Sequence, residues 1–319
     1  MDDQPKMTAA DWGLLIALSV LWGGSFFFAK VLVQEVPPLT VVLSRFAIAA
    51  LALWLYLRAR GLAVPKSLST WAAFAGMGLL NNLIPAALVT WSQKTIASGL
   101  AAILIATTPL FSILAAHWLT TDEKMTANKI AGILLGIAGV AILVGQGSLS
   151  GSEYALVPLF ACLAAAISYG FANVFGRRFK RMGIVPVVGA FGQIAATAMM
   201  MAPLAIVVDE PWRLMTPAPS VWAAMAGLAL LSTALGYVIF FRILASAGGT
   251  NISLVTLLIP VSAILLGRTI LGEHLLAAQF AGMALIAVGL VAIDGRVWSA
   301  IRSFIRAIFG RMPSGSLQN

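Results

Sequence analysis

The sequence contains one unit twice, and this duplication constrains its fold more than any other feature. The two copies match with an offset of 151 residues at a proline and of 150 at a glutamate and two glycines. The matched residues are Pro109, Glu123, Gly132 and Gly139 in the first copy, and Pro260, Glu273, Gly282 and Gly289 in the second. An earlier pair, Trp22-Gly23 and Tyr169-Gly170, has an offset of 147. The chain is therefore expected to fold as two related halves.

Both copies are strongly apolar. Hydrophobic residues make up 61% of the chain and charged residues 10%, whereas roughly a quarter of an average soluble domain is charged. A membrane-spanning helix needs about 20 apolar residues. Ten stretches satisfy this length, near 11–33, 38–58, 69–92, 96–120, 127–145, 154–175, 184–208, 220–243, 250–271 and 275–294. Their pattern is not alternating, which excludes an outer-membrane barrel and predicts an all-α polytopic membrane protein with ten transmembrane helices.

Each copy holds five of these stretches, and an odd number reverses the direction of the second copy through the membrane. We therefore predict an inverted repeat of two five-helix units around a central cavity, an arrangement typical of secondary transporters. The predicted divisions are a tail at 1–10, a first repeat at 11–145, a Gly/Ser-rich connector at 146–153, a second repeat at 154–294, and an amphipathic helix and tail at 295–319.

The net charge of +9 indicates topology rather than nucleic-acid binding. With the amino terminus inside, fifteen of the twenty Lys and Arg residues fall on the inner side, four on the outer side, and Arg45 within a stretch. This asymmetry follows the positive-inside rule and predicts that both termini are cytoplasmic. The expected partners are a small-molecule substrate and the lipid bilayer, with the protein a monomer or a homodimer.

No pattern of a soluble enzyme occurs. The chain lacks the Gly-x4-Gly-Lys-Ser/Thr loop that binds ATP phosphates, and its two histidines, His117 and His274, form no zinc motif. We expect no enzymatic activity, no cofactor and no metal. All eleven acidic residues lie at or beyond the ends of the stretches, whereas ion-driven pumps keep a carboxylate at membrane depth. This favours a facilitator or exchanger; His117 is either a coupling group, since imidazole titrates near neutral pH, or an interfacial residue.

Polar and aromatic residues recur at matched places within the stretches. Two adjacent carboxamides, Asn81 and Asn82, are costly in lipid unless they are paired or face a cavity. The predicted substrate-binding residues are Trp22, Asn81, Asn82, Thr107, Tyr169, Asn173, Ser232, Thr233, Tyr237 and Thr256. Amides and hydroxyls among aromatic faces suit a small amphiphile with polar ends and an apolar side chain. The alternative for each residue is ordinary hydrogen bonding or packing between helices.

Three further residues are singled out within the stretches. Arg45 is the one charged residue at depth, and its repeat counterpart is Gln193. Arg45 either binds an anionic group such as a carboxylate, extends to the membrane surface, or caps carbonyls of a neighbouring helix. Pro109 and Pro260 are predicted to bend their helices, because proline leaves a carbonyl of the preceding turn unbonded.

These residues together resemble the EamA-type exporters of the drug/metabolite transporter superfamily. The resemblance covers about residues 11–294 and is carried by Trp22-Gly23 with Lys30, by Arg45-Phe46, by Thr108-Pro109-Leu110 with Glu123, and by the matching positions of the second copy. It implies ten helices around a central cavity in the bacterial inner membrane, open alternately to each side. Many members of that family export amino acids and related metabolites, including aromatic amino acids.

Three other functions remain as alternatives. A carrier of phosphate esters or nucleotide sugars would need several cationic groups in the cavity, and Arg45 is the one that qualifies, with Arg268 at the rim. An intramembrane enzyme would need a catalytic pair at depth. A lipid flippase would need a lateral opening between helices.

Overall fold

The computed structural model describes residues 7–121, 123–149 and 156–294. This part of the chain forms ten long helices and a short 3₁₀ helix at Pro211–Arg213, and contains no strand. Their bounds are α1 Ala9–Leu32, α2 Pro38–Ala59, α3 Leu68–Ser92, α4 Ser98–Leu119, α5 Ala127–Leu149, α6 Leu156–Arg181, α7 Pro186–Asp209, α8 Pro219–Gly248, α9 Val255–Leu271 and α10 Ala277–Asp294. The predicted ten-helix all-α architecture is confirmed.

The helices differ from the predicted stretches mainly at their ends. Eight are long and apolar enough to cross a membrane, and the apolar parts of α9 and α10 are slightly shorter. Helix α6 continues to Arg181 with a basic last turn, which stabilises the negative end of the helix dipole. Helix α8 ends where Gly248 takes a non-helical φ of 78° and ψ of 170°. Helix α5 reaches Leu149, inside the predicted connector; residues 150–155 and the predicted tail 295–319 lie outside the described residues.

Helices α5 and α10 cross at two pairs of glycines. A Cβ built on Gly132 would lie 2.5 Å from the carbonyl oxygen of Gly289, and one built on Gly139 would lie 2.7 Å from that of Gly282. The earlier glycine of each helix therefore meets the later glycine of the other, so the two helices are antiparallel. Because α5 and α10 are counterparts in the two copies, this contact shows that the repeat is inverted.

The remaining helix pairs obey the same symmetry. Helix α1 packs against α9 as its counterpart α6 packs against α4, and α3 packs against α6 and α7 as α8 packs against α1 and α2. Counterparts α2 and α7 also pack together. The backbone amide and hydroxyl of Thr40, at the start of α2, donate to Asp209 Oδ2, at the end of α7, over 2.6 and 2.9 Å. Helices α2, α3, α7 and α8 thus surround the middle of the bundle.

Helices α3 and α8 each contain a π-helical segment, at Leu79–Leu83 and Gly227–Leu235, in matching parts of the repeat. Pro85 follows the first segment and has no N–H to reach the Leu80 carbonyl five residues back. That carbonyl instead accepts a hydrogen bond of 2.7 Å from Ser168 Oγ of α6. The π segments carry Asn81, Asn82 and Thr233, and π turns are common at functional sites.

The glycine crossing predicts a large effect of side-chain size at one position. Replacing Gly139 by valine puts a Cβ within 2.7 Å of a backbone oxygen, and overpacking of this kind costs about 1–3 kcal/mol. We expect Gly139→Val to lower the apparent melting temperature of the detergent-solubilised protein, followed by size-exclusion chromatography after heating.

The matched control is Gly13→Val in α1, where no atom lies within 4 Å of the built Cβ. This change should leave the melting temperature close to that of the wild type. Equal melting temperatures for the two variants would contradict a tight crossing of α5 and α10.

Candidate functional site

Four side chains from three helices form a hydrogen-bonded cluster in the middle of the bundle, here called the amide cluster: Asn81, Asn82, Gln193 and Tyr237. Asn81 Nδ2 donates to Gln193 Oε1 and to the Tyr237 hydroxyl, each over 3.0 Å. The Tyr237 hydroxyl donates to Asn82 Oδ1 over 3.2 Å, and Asn82 Nδ2 lies 3.5 Å from Gln193 Oε1. The amide cluster therefore joins α3, α7 and α8 through neutral groups.

Arg45 makes a second link, between α2 and α8. Its Nε donates to Thr233 Oγ1 over 2.9 Å, and this hydroxyl donates to the Leu228 carbonyl over 2.8 Å, five residues earlier in the π segment. The guanidinium carbon also lies 5.2 Å from the centre of the Phe46 ring. Since Thr233 is 1% exposed, Arg45 is held towards the interior of the bundle.

The two links are counterparts in the repeat. Arg45 corresponds to Gln193 with an offset of 148, and Asn82 corresponds to Thr233 with an offset of 151. The contact of Arg45 on α2 with Thr233 on α8 is thus repeated by the contact of Gln193 on α7 with Asn82 on α3. The polar centre consequently lies about the axis that relates the two copies, and one of its two sides carries a positive charge.

Aromatic rings border this centre. The Trp22 ring of α1 stacks on Phe240 at 5.4 Å and meets Tyr237 edge-on at 6.3 Å, and Tyr237 stacks on Phe241 at 6.2 Å. The approach of Trp22 depends on Gly236, because a Cβ there would lie 2.7 Å from the indole nitrogen. From α6, the phenol of Tyr169 lies within electrostatic range of both Arg45 and Tyr237.

Burial separates the supporting residues from the accessible ones. Asn82 and Thr233 are fully buried, whereas Trp22, Asn81, Tyr169 and Tyr237 are half-buried, as is Arg45. Of the half-buried side chains, Trp22, Asn81, Tyr237 and Arg45 are hydrogen-bonded or stacked across helices. Part of the surface of these side chains is not covered by the described residues.

Seven predicted site residues meet here: Trp22, Arg45, Asn81, Asn82, Tyr169, Thr233 and Tyr237. Four others lie apart or bond locally. Asn173 is exposed and donates to Ser112 Oγ over 2.8 Å, and the hydroxyls of Thr107 and Thr256 donate to the carbonyls of Leu104 and Ser253, three residues earlier in the chain. Ser232 is buried, and its hydroxyl has no partner among the described residues.

The remaining predicted residues are His117, Pro109 and Pro260. His117 Nδ1 accepts a hydrogen bond of 3.2 Å from the Met125 amide in the connection between α4 and α5. Helix α4 is interrupted at Ala106 and Thr107. Its second segment begins at Thr108, so Pro109 lies in the first turn of that segment. Pro260 lies inside α9, which continues through it.

Three members of the site were not among the predicted binding residues: Gln193, Phe240 and Phe241. Gln193 appeared in the sequence only as the counterpart of Arg45. Because Gln193 is a polar residue within an apolar stretch and matches another polar residue across the repeat, the sequence was sufficient to predict it as a site residue. Phe240 lies one turn after Tyr237, but an aromatic residue in an apolar helix carries no signal of its own.

The site is poor in groups for chemistry or metal binding. Within the described ranges, no group of three or more His, Cys, Asp or Glu side chains lies close enough together to hold a metal ion. The amides, hydroxyls and guanidinium are instead suited to binding a polar molecule reversibly through hydrogen bonds.

Comparison with known proteins gives the family. The sequence model of the EamA-like transporter family matches residues 12–145 and 156–293. The "Uncharacterized inner membrane transporter YedA" of Escherichia coli (strain K12) is 29% identical, with 88% of this chain and 90% of that protein covered. The "Probable amino-acid metabolite efflux pump" of the same strain is 26% identical, with 92% of this chain and 97% of that protein covered.

A solved structure, described only as "Crystal structure of protein", has the same fold. It superposes with a TM-score of 0.63 at 22% sequence identity, covering 92% of this chain and 99% of the other. Because the family matches both repeats across nearly all of the described helices, the chain belongs to the EamA-like transporter family and is a multi-pass membrane transporter, not an enzyme.

Proposed function

We propose that the protein exports small metabolites, above all amino acids with apolar or aromatic side chains, across the bacterial inner membrane by alternating access. The amide cluster, Arg45 and the rings of Trp22, Tyr169 and Tyr237 form the binding site in this proposal. The observation that carries it is the pair of repeat-related polar links within the spans, Arg45 with Thr233 and Gln193 with Asn82. A relative named as an amino-acid metabolite efflux pump supports the substrate class.

The chemistry of the site fits such a substrate. Asn81 Oδ1 has no hydrogen-bond partner among the described side chains, and its Nδ2 is shared between two acceptors. Amides with free capacity bind the polar end of an amino acid. The stacked rings of Trp22 and Phe240 offer a flat apolar surface, and aromatic pairs contribute about 0.5–1.5 kcal/mol beyond the area they bury.

Support for alternating access comes from two repeat-related pairs of charges. On the side where α3 ends, Glu273 accepts hydrogen bonds from the Ser98 amide over 2.9 Å and the Ser98 hydroxyl over 2.6 Å. Lys30 Nζ donates to the carbonyls of Gln93 and Ile96 over 2.7 and 3.0 Å. The negative Glu273 thus stabilises the partially positive start of α4, and the positive Lys30 stabilises the partially negative end of α3.

On the opposite side, the counterparts of these two residues are arranged differently. Arg177 corresponds to Lys30 with an offset of 147, and Glu123 corresponds to Glu273 with an offset of 150. Arg177 and Glu123 are bonded directly to each other. One pair is therefore split across the α3–α4 connection while its counterpart is joined, as expected when the two copies of an inverted repeat adopt different conformations.

We propose in addition that both termini are cytoplasmic, from the distribution of basic residues, and that the substrate's own gradient drives transport. The second point rests on the composition of the site. Among the described residues, no carboxylate bonds to the amide cluster or to Arg45, whereas proton- and sodium-driven transporters keep such a group at membrane depth.

Reconstitution tests the proposed substrate class and drive. Purified protein in liposomes should take up labelled phenylalanine and leucine, with the same initial rate in the presence and absence of an imposed pH gradient. Liposomes without protein give the background. Absence of uptake for every amino acid tested would refute the substrate class, and a rate that follows the pH gradient would refute gradient-independent exchange.

The amide cluster predicts a strong effect of one polar substitution. Asn82→Leu removes the acceptor of the Tyr237 hydroxyl, and an unpaired buried group costs about 1–3 kcal/mol. We expect amino-acid uptake to fall about tenfold or more while expression is maintained. Asn173→Leu, which alters an exposed amide outside the cluster, should retain most of the uptake. Unchanged transport by Asn82→Leu would assign Asn82 to packing.

The charge pairs predict reciprocal behaviour of the two sides. Glu273→Gln weakens the contact at the start of α4, so amide hydrogen exchange there should become faster while exchange in the α4–α5 connection becomes slower. Glu123→Gln should have the reverse effect, measured by mass spectrometry. Glu210→Gln is the control, since Glu210 pairs locally with Arg213. Faster exchange on both sides in either variant would argue against alternating access.

A further inference from the structure

Arg45 has hydrogen-bonding capacity that the protein does not use. Its Nε bonds to Thr233, and neither Nη atom has an acceptor among the described residues. Within the same ranges, no Asp or Glu forms an ion pair with it. An arginine keeps its positive charge in proteins, so the centre of the bundle holds a charge that no carboxylate of the described residues compensates.

The structure disfavours both structural roles that the sequence left open for Arg45. Extension to the membrane surface is opposed by the bond to Thr233, which is 1% exposed and holds the side chain inward. Capping of a neighbouring helix would require a carbonyl acceptor, and no described carbonyl accepts from Arg45. A charge at membrane depth without either role is costly unless a ligand of opposite charge binds beside it.

The geometry of Arg45 suits a carboxylate. Since Nε is occupied by Thr233, the edge formed by the two Nη atoms remains free, and this fork matches the two oxygens of a carboxylate. Other unused groups nearby are also donors. Neither the Trp22 indole N–H nor the Tyr169 hydroxyl has a hydrogen-bond acceptor among the described residues. The described part of the site therefore offers several hydrogen-bond donors and no anionic side chain.

We propose that Arg45 recognises the carboxylate of the substrate, and that the α-ammonium group is not required. The inference rests on the proposed function and narrows its substrate class to carboxylates with a flat apolar side chain. Among the described residues, no acidic side chain bonds to the site and could pair with an ammonium group, for which the Asn81 carbonyl and the aromatic faces are weaker partners. The 2-hydroxy acids that correspond to aromatic amino acids are consequently bound and transported at the same site. A phosphate ester would need further cations.

Competition tests the recognition rule. Phenylalanine, 3-phenyllactate and phenethylamine present the same ring, the second without the ammonium and the third without the carboxylate. They are used to inhibit uptake of labelled phenylalanine by proteoliposomes. Phenylalanine and 3-phenyllactate should inhibit within about threefold of each other. Phenethylamine should inhibit about tenfold more weakly or worse, because hydrogen bonds to charged groups contribute about 1.5–3 kcal/mol each.

Substitutions at Arg45 test whether this residue is responsible for the preference for a carboxylate. Arg45→Gln reproduces the residue of the repeat counterpart and retains a donor for Thr233. It should weaken inhibition by 3-phenyllactate about tenfold or more and leave that by phenethylamine unchanged. Arg45→Lys keeps the charge and should restore part of the preference. Arg268→Gln, which removes an exposed arginine at the end of α9, is the control and should behave as the wild type.

Calorimetry separates this inference from the proposed function. Binding of 3-phenyllactate and phenethylamine to the purified full chain in detergent is measured for the wild type and for Arg45→Gln, whether or not phenylalanine is transported. Selective binding of 3-phenyllactate that is lost in Arg45→Gln supports the proposal even if phenylalanine is not carried. Equal binding of both compounds, binding of neither, or an equal loss of both in Arg45→Gln overturns it, even if amino-acid transport stands.

Discussion

Contact between the backbones of α5 and α10 fixes the relation of the two halves on which the rest of the structure depends. In lipid, helices gain little from burying apolar side chains against each other, so close packing and hydrogen bonds hold them together. Gly132 and Gly139 meet Gly289 and Gly282 in antiparallel order. This order imposes an approximate two-fold relation on all other helices. The relation brings α2, α3, α7 and α8 to the middle of the bundle.

In the middle of the bundle, the side chains that join the helices are also those of the proposed binding site. Polar groups at membrane depth need partners, and the buried members Asn82 and Thr233 obtain them across helices. The same bonds hold Arg45 and Tyr237 in fixed orientations, with part of their surface left free. The proposed binding site would require no loop and no metal, because it would be made from the contacts that assemble the helices.

The sequence predicts the architecture well and the site in part. The number of spans follows from the lengths of the apolar stretches, and the inversion follows from their odd number per repeat. The offset also identified Asn82 with Thr233 and Arg45 with Gln193. It did not reveal the π segments, which rotate α3 and α8 locally, or that Glu273 caps α4. The side of an apolar helix that faces protein carries no polarity signal, so Phe240 was missed and the outlying Thr107 and Thr256 were included.

The difference between Arg45 and Gln193 has a consequence for how a molecule travels. Two identical halves would give a ligand two equivalent poses, related by a half-turn about the axis. A cation in one half alone leaves one pose, with the charged head towards α2. If the proposed function holds, a substrate carried through this site enters and leaves without tumbling, so that the end which arrives first from one compartment is also the first to depart into the other.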